Sequence, residues 1–285
     1  FSSQVNAIAF SDEGMWLAGH NRHRDEAGLT YWDQNRDEWN YFEAQFDASI
    51  LSDDISKLRT RGDTLFCATR FGLSIYDRAR NNWHRITIAN GLADEQIHDI
   101  ELRDHELWVA TDAGLNVIDV ETIGTDSLAL EEIARRHLLN QSIYDIHLGK
   151  TELWAATRLG VYRYDLETDK GHFFDDASGP RDNFITRISG IDDEIWFGGD
   201  GTVEGFDAGR DEWFDTPERK IDFPSEIQAL AVDENAVWAG TARGLFKFNR
   251  KERFWRVFTR EDGLMNDDVL ELALDGDYIW IGTPE

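Results

Sequence analysis

The chain has 285 residues with 56 acidic and 29 basic side chains, a formal net charge of -27. Seventeen Phe, eleven Trp and seven Tyr supply the apolar bulk of a large core, which excludes a disordered chain. Six lysines and the absence of a long basic run exclude nucleic acid as a partner, and no stretch approaches the ~18 consecutive apolar residues of a membrane helix.

The elements recur in chain order. The first unit carries Val5 and Ile8, then Trp16 in the context GMWLAG. An insertion, HNRHRDE, precedes Gly28-Leu29, and Trp32-Asp33 and Trp39 follow. The second unit repeats this as Ile55, Leu58, Phe66, Gly72-Leu73, Tyr76-Asp77 and Trp83. The third has Ile97, Ile100, Trp108, Gly114-Leu115 and Ile118-Asp119, but Thr125 stands where the outer Trp is expected. A stretch from Ser127 to Leu139 then places Leu130, Ile133, Ala134 and Leu138 on one side of a helix, a surface decoration that displaces the outermost strand. The fourth unit has Ile143, Ile146, Trp154, Gly160-Val161 and Tyr164-Asp165, with Gly171 in the outer Trp position. The fifth keeps Ile185, Ile188, Trp196, Phe206-Asp207 and Trp213, while Gly199 and Thr202 depart from the pattern between them. The sixth has Ile227, Leu230, Trp238, Gly244-Leu245, Phe248-Asn249 and Trp255, and the seventh Val269, Leu272 and Trp280.

The aromatics from Trp16 to Trp280 are separated by 50, 42, 46, 42, 42 and 42 residues. Each unit reads as four short strands. In the fifth these are Phe184 to Ser189, Glu194 to Gly198, Val203 to Asp207 and Glu212 to Asp215. Asp104-His105, Asp192-Asp193 and Gly276-Asp277 sit where the first strand turns into the second, in residue types that accept tight turns. Four strands in about 42 residues is propeller spacing. One small twisted sheet cannot bury both faces, and face-to-face packing of successive sheets solves this. The predicted fold is therefore an all-β propeller of four-stranded blades. Seven blades are expected, six complete and half of a seventh, in a single domain over residues 1–285 that lacks strands at one terminus. Residues before Phe1 or after Glu285 would supply them; an eight-bladed or tandem arrangement stays open. Both Trp columns are assigned to packing rather than to sugar stacking. Cys67, the only cysteine, lies among Leu65, Phe66 and Ala68 and reads as an inert thiol inside a strand, with no internal disulfide possible.

The strings NGLADEQIHDIELRDHELWVATDAGLNVID from Asn90 to Asp119 and DGLMNDDVLELALDGDYIWIGT from Asp262 to Thr283 resemble the two-component regulator propeller repeat. The resemblance covers essentially the whole chain in seven degenerate copies. It implies a periplasmic or extracellular sensor domain, of a kind that often precedes a membrane helix and a histidine kinase or cyclase and in some cases senses carbohydrate fragments. The repeat motif is structural, so the resemblance assigns no catalytic residue.

Function is sought on the loops joining strands two and three and on those leading from one blade to the next. Candidate ligand-binding residues are His20 and Arg22 in the insertion, then Arg70, Asp112, Arg158 and Asp200, each four residues past the strand-two aromatic, and Arg243 in the sixth unit. Arg70, Arg158 and Arg243 suit a carboxylate, sulfate or phosphate because guanidinium offers a planar fork. The competing reading ties each Arg to the Asp of a neighbouring blade. Asp53, Asp54, Asp94, Glu95, Asp182, Asp267 and Asp268 add carboxylates. No nucleophile elbow, zinc-protease motif, calcium loop or phosphate-cradling loop is present, and His20 with His23 lack a third ligand. No cofactor or metal is expected. The sequence points to a non-enzymatic recognition domain for a carbohydrate, an anionic small ligand or a protein. The alternative is a hydrolase or lyase acting on polysaccharide through two facing carboxylates.

Overall fold

The computed structural model describes residues 4–21, 26–42, 50–123, 130–131, 141–175, 177–214 and 223–284. Contacts divide the chain into two compact units, Phe1–Ile143 and Tyr144–Glu285. In the first, β1 (Gln4–Ser11), β2 (Gly14–Asn21), β3 (Glu26–Asp33) and β4 (Glu38–Phe42) form one sheet. A second holds β5 (Ile55–Arg61), β6 (Thr64–Thr69), β7 (Gly72–Asp77) and β8 (Asn82–Ile86). A third holds β9 (Ile97–Arg103), β10 (Glu106–Thr111), β11 (Gly114–Asp119) and the short β12 (Leu130–Glu131).

The second unit continues the pattern from the boundary residue Ile143. Its first sheet is β13 (Ile143–Leu148), β14 (Glu152–Thr157), β15 (Gly160–Asp165) and β16 (Lys170–Phe174). The next is β17 (Ile185–Ile191), β18 (Glu194–Gly199), β19 (Val203–Asp207) and β20 (Glu212–Phe214), close to the expected bounds. Then come β21 (Ala229–Val232), β22 (Ala236–Thr241), β23 (Gly244–Asn249) and β24 (Phe254–Phe258), and last the pair β25 (Glu271–Asp275) and β26 (Tyr278–Gly282). Among the described residues there are thus six four-stranded blades and a two-stranded seventh, an all-β propeller fold as the periodicity predicts.

One expectation is corrected. Most of the helix proposed from Ser127 to Leu139 lies outside the described residues, but Leu130–Glu131 within it is a strand paired antiparallel with β11. Its register explains the change. Leu130 stands opposite Ile118, as Trp39 stands opposite Trp32, Trp83 opposite Tyr76, Trp213 opposite Phe206 and Trp255 opposite Phe248. The third blade keeps its outermost strand, moved along the chain by the insertion, and backbone pairing overrides the helical periodicity.

The strand-two aromatics are wedges between consecutive blades. Trp16 packs against Leu58, Leu65 and Tyr76 of the second blade, and Phe66 against Ile97, Ile100 and Leu107 of the third. In the second unit Trp154 meets Ile185, Ile188 and Phe197, and Trp196 meets Ile227, Val237 and Phe248. Trp238 covers the Val269 and Leu272 cluster. Cys67 is buried, as expected, and desolvation pushes its thiol well above the ordinary range, so it is unreactive in the fold.

Two turn devices fix the loops. The buried hydroxyl of Thr69 donates to the carbonyl of Gly72 (2.6 Å) and accepts the N–H of Phe71 (3.1 Å). Thr111 with Gly114, Thr157 with Gly160, and Thr241 with Gly244 repeat both bonds. The glycines have φ of 115 to 132°, and at Gly244 an added Cβ would lie 2.7 Å from the carbonyl oxygen of Phe258, so no other residue fits. The second device is the Asn-Gly-Leu and Asp-Gly-Leu of the repeat signature. Thr87 and Asn90 bond reciprocally around one 3₁₀ turn, and Thr259 and Asp262 do the same around another. Gly91 and Gly263 end these turns at φ of 105 and 111°. Leu92 then enters the core, and Leu264 packs against the cluster of the sixth and seventh blades.

Candidate functional site

In each unit the loops between strands two and three and the connections between blades lie at one end of the sheets. The inner strand arrives there through a bulge. The pairing of β5 with β6 shifts between Ile55 and Lys57, and that of β17 with β18 between Ile185 and Arg187. The extra residue in each turns toward the next blade. Ser56 Oγ donates to the carbonyl of Ile97 (2.8 Å), and Thr186 Oγ1 to the carbonyl of Ile227 (3.3 Å). This stitching gives the loops above it a fixed base.

The first unit holds Arg70 and Asp112. Arg70 is exposed and pairs with Asp54 at 3.3 Å, with its guanidinium 5.0 Å from the ring centre of Phe71. This carboxylate belongs to the connection that enters Arg70's own blade, not to a neighbouring blade as the competing reading had it. Asp112 accepts hydrogen bonds from His98 Nε2 (2.7 Å) and Ser142 Oγ (2.6 Å). This is a serine, histidine and aspartate group with the wrong connectivity for acyl transfer. The hydroxyl bonds to the carboxylate, not to the imidazole that would have to take its proton. Arg22 lies outside the described residues; His20 is the penultimate residue of β2, but its side chain is likewise undescribed.

Arg158, Asp200 and Arg243 stand on separate hairpins of the second unit, all exposed. Among the described residues no ion pair engages Arg158 or Arg243, and no hydrogen bond joins the three. Arg158 lies 5.8 Å from the ring centre of Phe184, which meets Tyr144 edge-on at 5.7 Å. Leu159, next in the chain, is 62% exposed. Asp200 takes a different turn from its counterparts, because Gly199 replaces the buried threonine. Its N–H donates to Asp182 Oδ2 (3.0 Å), and its backbone bridges to Glu226.

Three of the seven loop carboxylates expected here are spent on backbone. Asp94 accepts the N–H of Gln96 (2.8 Å), Asp182 that of Phe184 (2.9 Å), and Asp267 that of Arg260 (2.6 Å). With Asp54 held by Arg70, these groups build loops and do not form an acid and base pair across a cleft. Among the described residues no group of three or more potential ligands could hold a metal ion, and no helix is long and apolar enough to cross a membrane. Sequence reasoning missed the apolar companions of the arginines, Phe71, Leu159 and Phe184. The signal was present, since Phe71 and Leu159 directly follow Arg70 and Arg158.

Two grooves in the first unit lie away from these loops. One, of about 490 Å³, runs between the first two blades past Arg78, which donates to Tyr31 Oη (2.8 Å), Glu13 (2.6 Å) and Asp63 (2.8 Å). The other, of about 630 Å³, repeats that position between the second and third blades, where Val120 replaces the arginine. Its floor residues Phe66 and Ile75 are almost fully buried, and its cations Arg80 and Arg61 face Asp77 and Glu121.

No protein-family model matches the chain, and no curated protein does. Solved structures do. The extracellular domain of the proposed one-component system BT4673 from B. thetaiotaomicron matches with a TM-score of 0.74 at 18% identity, over 99% of this chain and 37% of that one. The extracellular domain of the proposed hybrid two-component system BT3049 from the same organism matches with a TM-score of 0.74 at 16% identity, over 100% of this chain and 39% of that one. The chain therefore spans less than half the length of either. The WD40 repeats of RRP9 match with a TM-score of 0.73 at 13% identity, over 99% of this chain and 87% of that one. What all three share with this chain is the β-propeller fold.

Proposed function

We propose that this chain is a non-enzymatic recognition propeller, the ligand-sensing part of a signalling protein, working in the periplasm or outside the cell. Its likeness to two extracellular domains of bacterial signalling systems and its repeat signature support that setting. The same reading takes residues 1–285 as a single propeller domain lacking strands at one terminus. The observation that carries the binding role is the contrast between the arginines. Arg70 has its carboxylate, whereas Arg158 and Arg243 meet none among the described residues and stand on exposed turns of an otherwise acidic chain. Such cations suit a small anionic ligand, an acidic oligosaccharide above all, with Leu159 offering it an apolar contact. Asp200 and Asp112 serve as acceptors for ligand hydroxyls on their own turns, and His20 and Arg22 remain candidates on sequence grounds.

Calorimetric titration with acidic oligosaccharides and with inorganic sulfate tests this. Binding should fall at least tenfold in Arg158→Ala and in Arg243→Ala and stay nearly unchanged in Arg70→Ala. Equal affinity for wild type and both of the first two variants would remove the site.

A further inference from the structure

Across the outer clefts of this fold, guanidinium groups tie neighbouring blades. Arg78 of the second blade reaches Glu13 of the first, Arg163 of the fourth reaches Asp211 of the fifth, and Arg250 of the sixth reaches Glu194 of the fifth, each at 2.6 Å. Arg78 also lies 5.3 Å from the ring centre of Tyr31, whose hydroxyl accepts from it. Between the second and third blades both members of that contact are replaced. The N–H of Val120 donates to the carbonyl of His105 (2.8 Å) as that of Arg78 donates to Asp63 (2.9 Å), so the valine has the arginine's place. Ile75 stands opposite Phe66 as Tyr31 stands opposite Trp16, so the isoleucine has the tyrosine's. Arg59 and Glu101 tie these two blades on their inner strands (2.6 Å), and the cleft outside them stays open as the groove of about 630 Å³. That volume is ordinary for a small-molecule site, which spans ~300–1,000 Å³.

The groove has apolar walls and a mouth of balanced charge. Phe66 and Ile75 form its floor, and the half-buried Val120 and Ile123 face them. Asp119 caps the short turn Val120–Thr122 by accepting the N–H of Glu121 (3.0 Å), which fixes that facing wall. At the mouth Arg61 faces Glu121 at 4.0 Å, a looser pair than the 2.6 Å bridges elsewhere. Arg80 pairs with Asp77 at 2.5 Å and keeps most of its side chain in solvent. These are the charged groups of the lining, two of each sign. An anion here would also meet Asp77 and Glu121, and a cation would also meet the two arginines. A ligand carrying one charge of each sign on an apolar body satisfies both pairs at once.

We propose that this groove binds a short apolar peptide with free termini. The carboxylate of the peptide takes the fork of one arginine, its ammonium takes the carboxylate of the other pair, and its side chains lie on Val120 and Ile123. Asn82 and His84, bonded to each other at 3.1 Å and part of the lining, offer partners to its amide.

Calorimetric titration of the 285-residue protein with leucyl-phenylalanine tests this. One-to-one binding is expected. N-acetylation of the dipeptide and amidation of its carboxyl group should each weaken it about tenfold or more, because each cap removes one charge-assisted contact and leaves the protein untouched. Diglycine, which keeps both termini and lacks the apolar side chains, should also bind at least about tenfold more weakly. Val120→Arg restores the side chain that the neighbouring cleft carries and should abolish binding at unchanged circular dichroism, and Arg61→Gln should weaken it. Arg158→Ala should leave it unchanged, so this groove and the anion site fail separately. Absence of binding, equal binding of the capped forms, or binding that survives Val120→Arg would overturn the proposal. So would loss of binding in Arg158→Ala, since the peptide would then sit at the anion site.

Discussion

Replacing Trp154 by alanine tests the packing that everything else rests on. Its indole is fully buried, with Phe206, Phe197 and Phe174 at 5.1, 5.6 and 5.9 Å between ring centres. Arg163 sits over its ring and is held by Glu152 and by Asp211 at 2.6 Å. Burial lowers the affinity of that guanidinium for its proton, but the two carboxylates more than reverse the effect, so it stays charged. Truncating a buried tryptophan costs about 3–5 kcal/mol. Losing the ring beneath a half-buried cation adds about 1 kcal/mol. A total near 5 kcal/mol is a large share of the ~5–15 kcal/mol that holds a domain folded. Urea unfolding at 25 °C, followed by far-ultraviolet circular dichroism, should show the midpoint falling sharply at constant slope. Trp280→Ala is the internal control. Its side chain is already part exposed, and about 1–2 kcal/mol is expected there. If Trp154→Ala cost no more than Trp280→Ala, the inter-blade wedge would not be what holds the sheets together.

Two further changes probe the turns and the ion pairs. Gly244→Ala should lose about 1–3 kcal/mol in the same assay, because φ is 131° and the Phe258 carbonyl blocks a methyl group. Gly62→Asn, at φ 55° with open space around it, should cost well under about 1 kcal/mol; similar losses at both sites would refute the steric argument. Asp77 is held below the usual carboxylate range, chiefly by its hydrogen bond from Arg80. A depressed folded value means its contribution is complete above the ordinary carboxylate range near pH 4 and is lost as pH falls through the folded value. Asp77→Asn should therefore flatten the acid limb of stability against pH and leave neutral pH little changed. An unaltered acid limb would count against the pairing.

The architecture was legible because the repeat imposes the same demand seven times. An aromatic wedge with two apolar positions ahead of it and a glycine behind it, returning every 42 residues or so, fits sheets that must cover one another and fits little else. What stayed hidden depends on neighbours in space. The outer strand of the third blade could not be found, since SLALEEIARRHLL carries a helix period and only pairing with Val117 and Ile118 makes Leu130–Glu131 a strand. The bulges that turn Ser56 and Thr186 toward the next blade leave no mark in composition. The candidate arginines looked alike in sequence, yet Asp54 claims Arg70 while no carboxylate among the described residues claims Arg158. That distinction lies in loop geometry, which no column of the repeat records.

The hairpin threonine has a consequence for how such a chain diversifies. Because one hydroxyl both gives and takes a bond across the bend, the two side chains it encloses contribute nothing to holding the bend. Arg70 and Phe71, Asp112 and Ala113, Arg158 and Leu159, and Ala242 and Arg243 occupy them. Those tips are interchangeable cassettes, and a lineage can change the side chains displayed there without endangering the scaffold beneath.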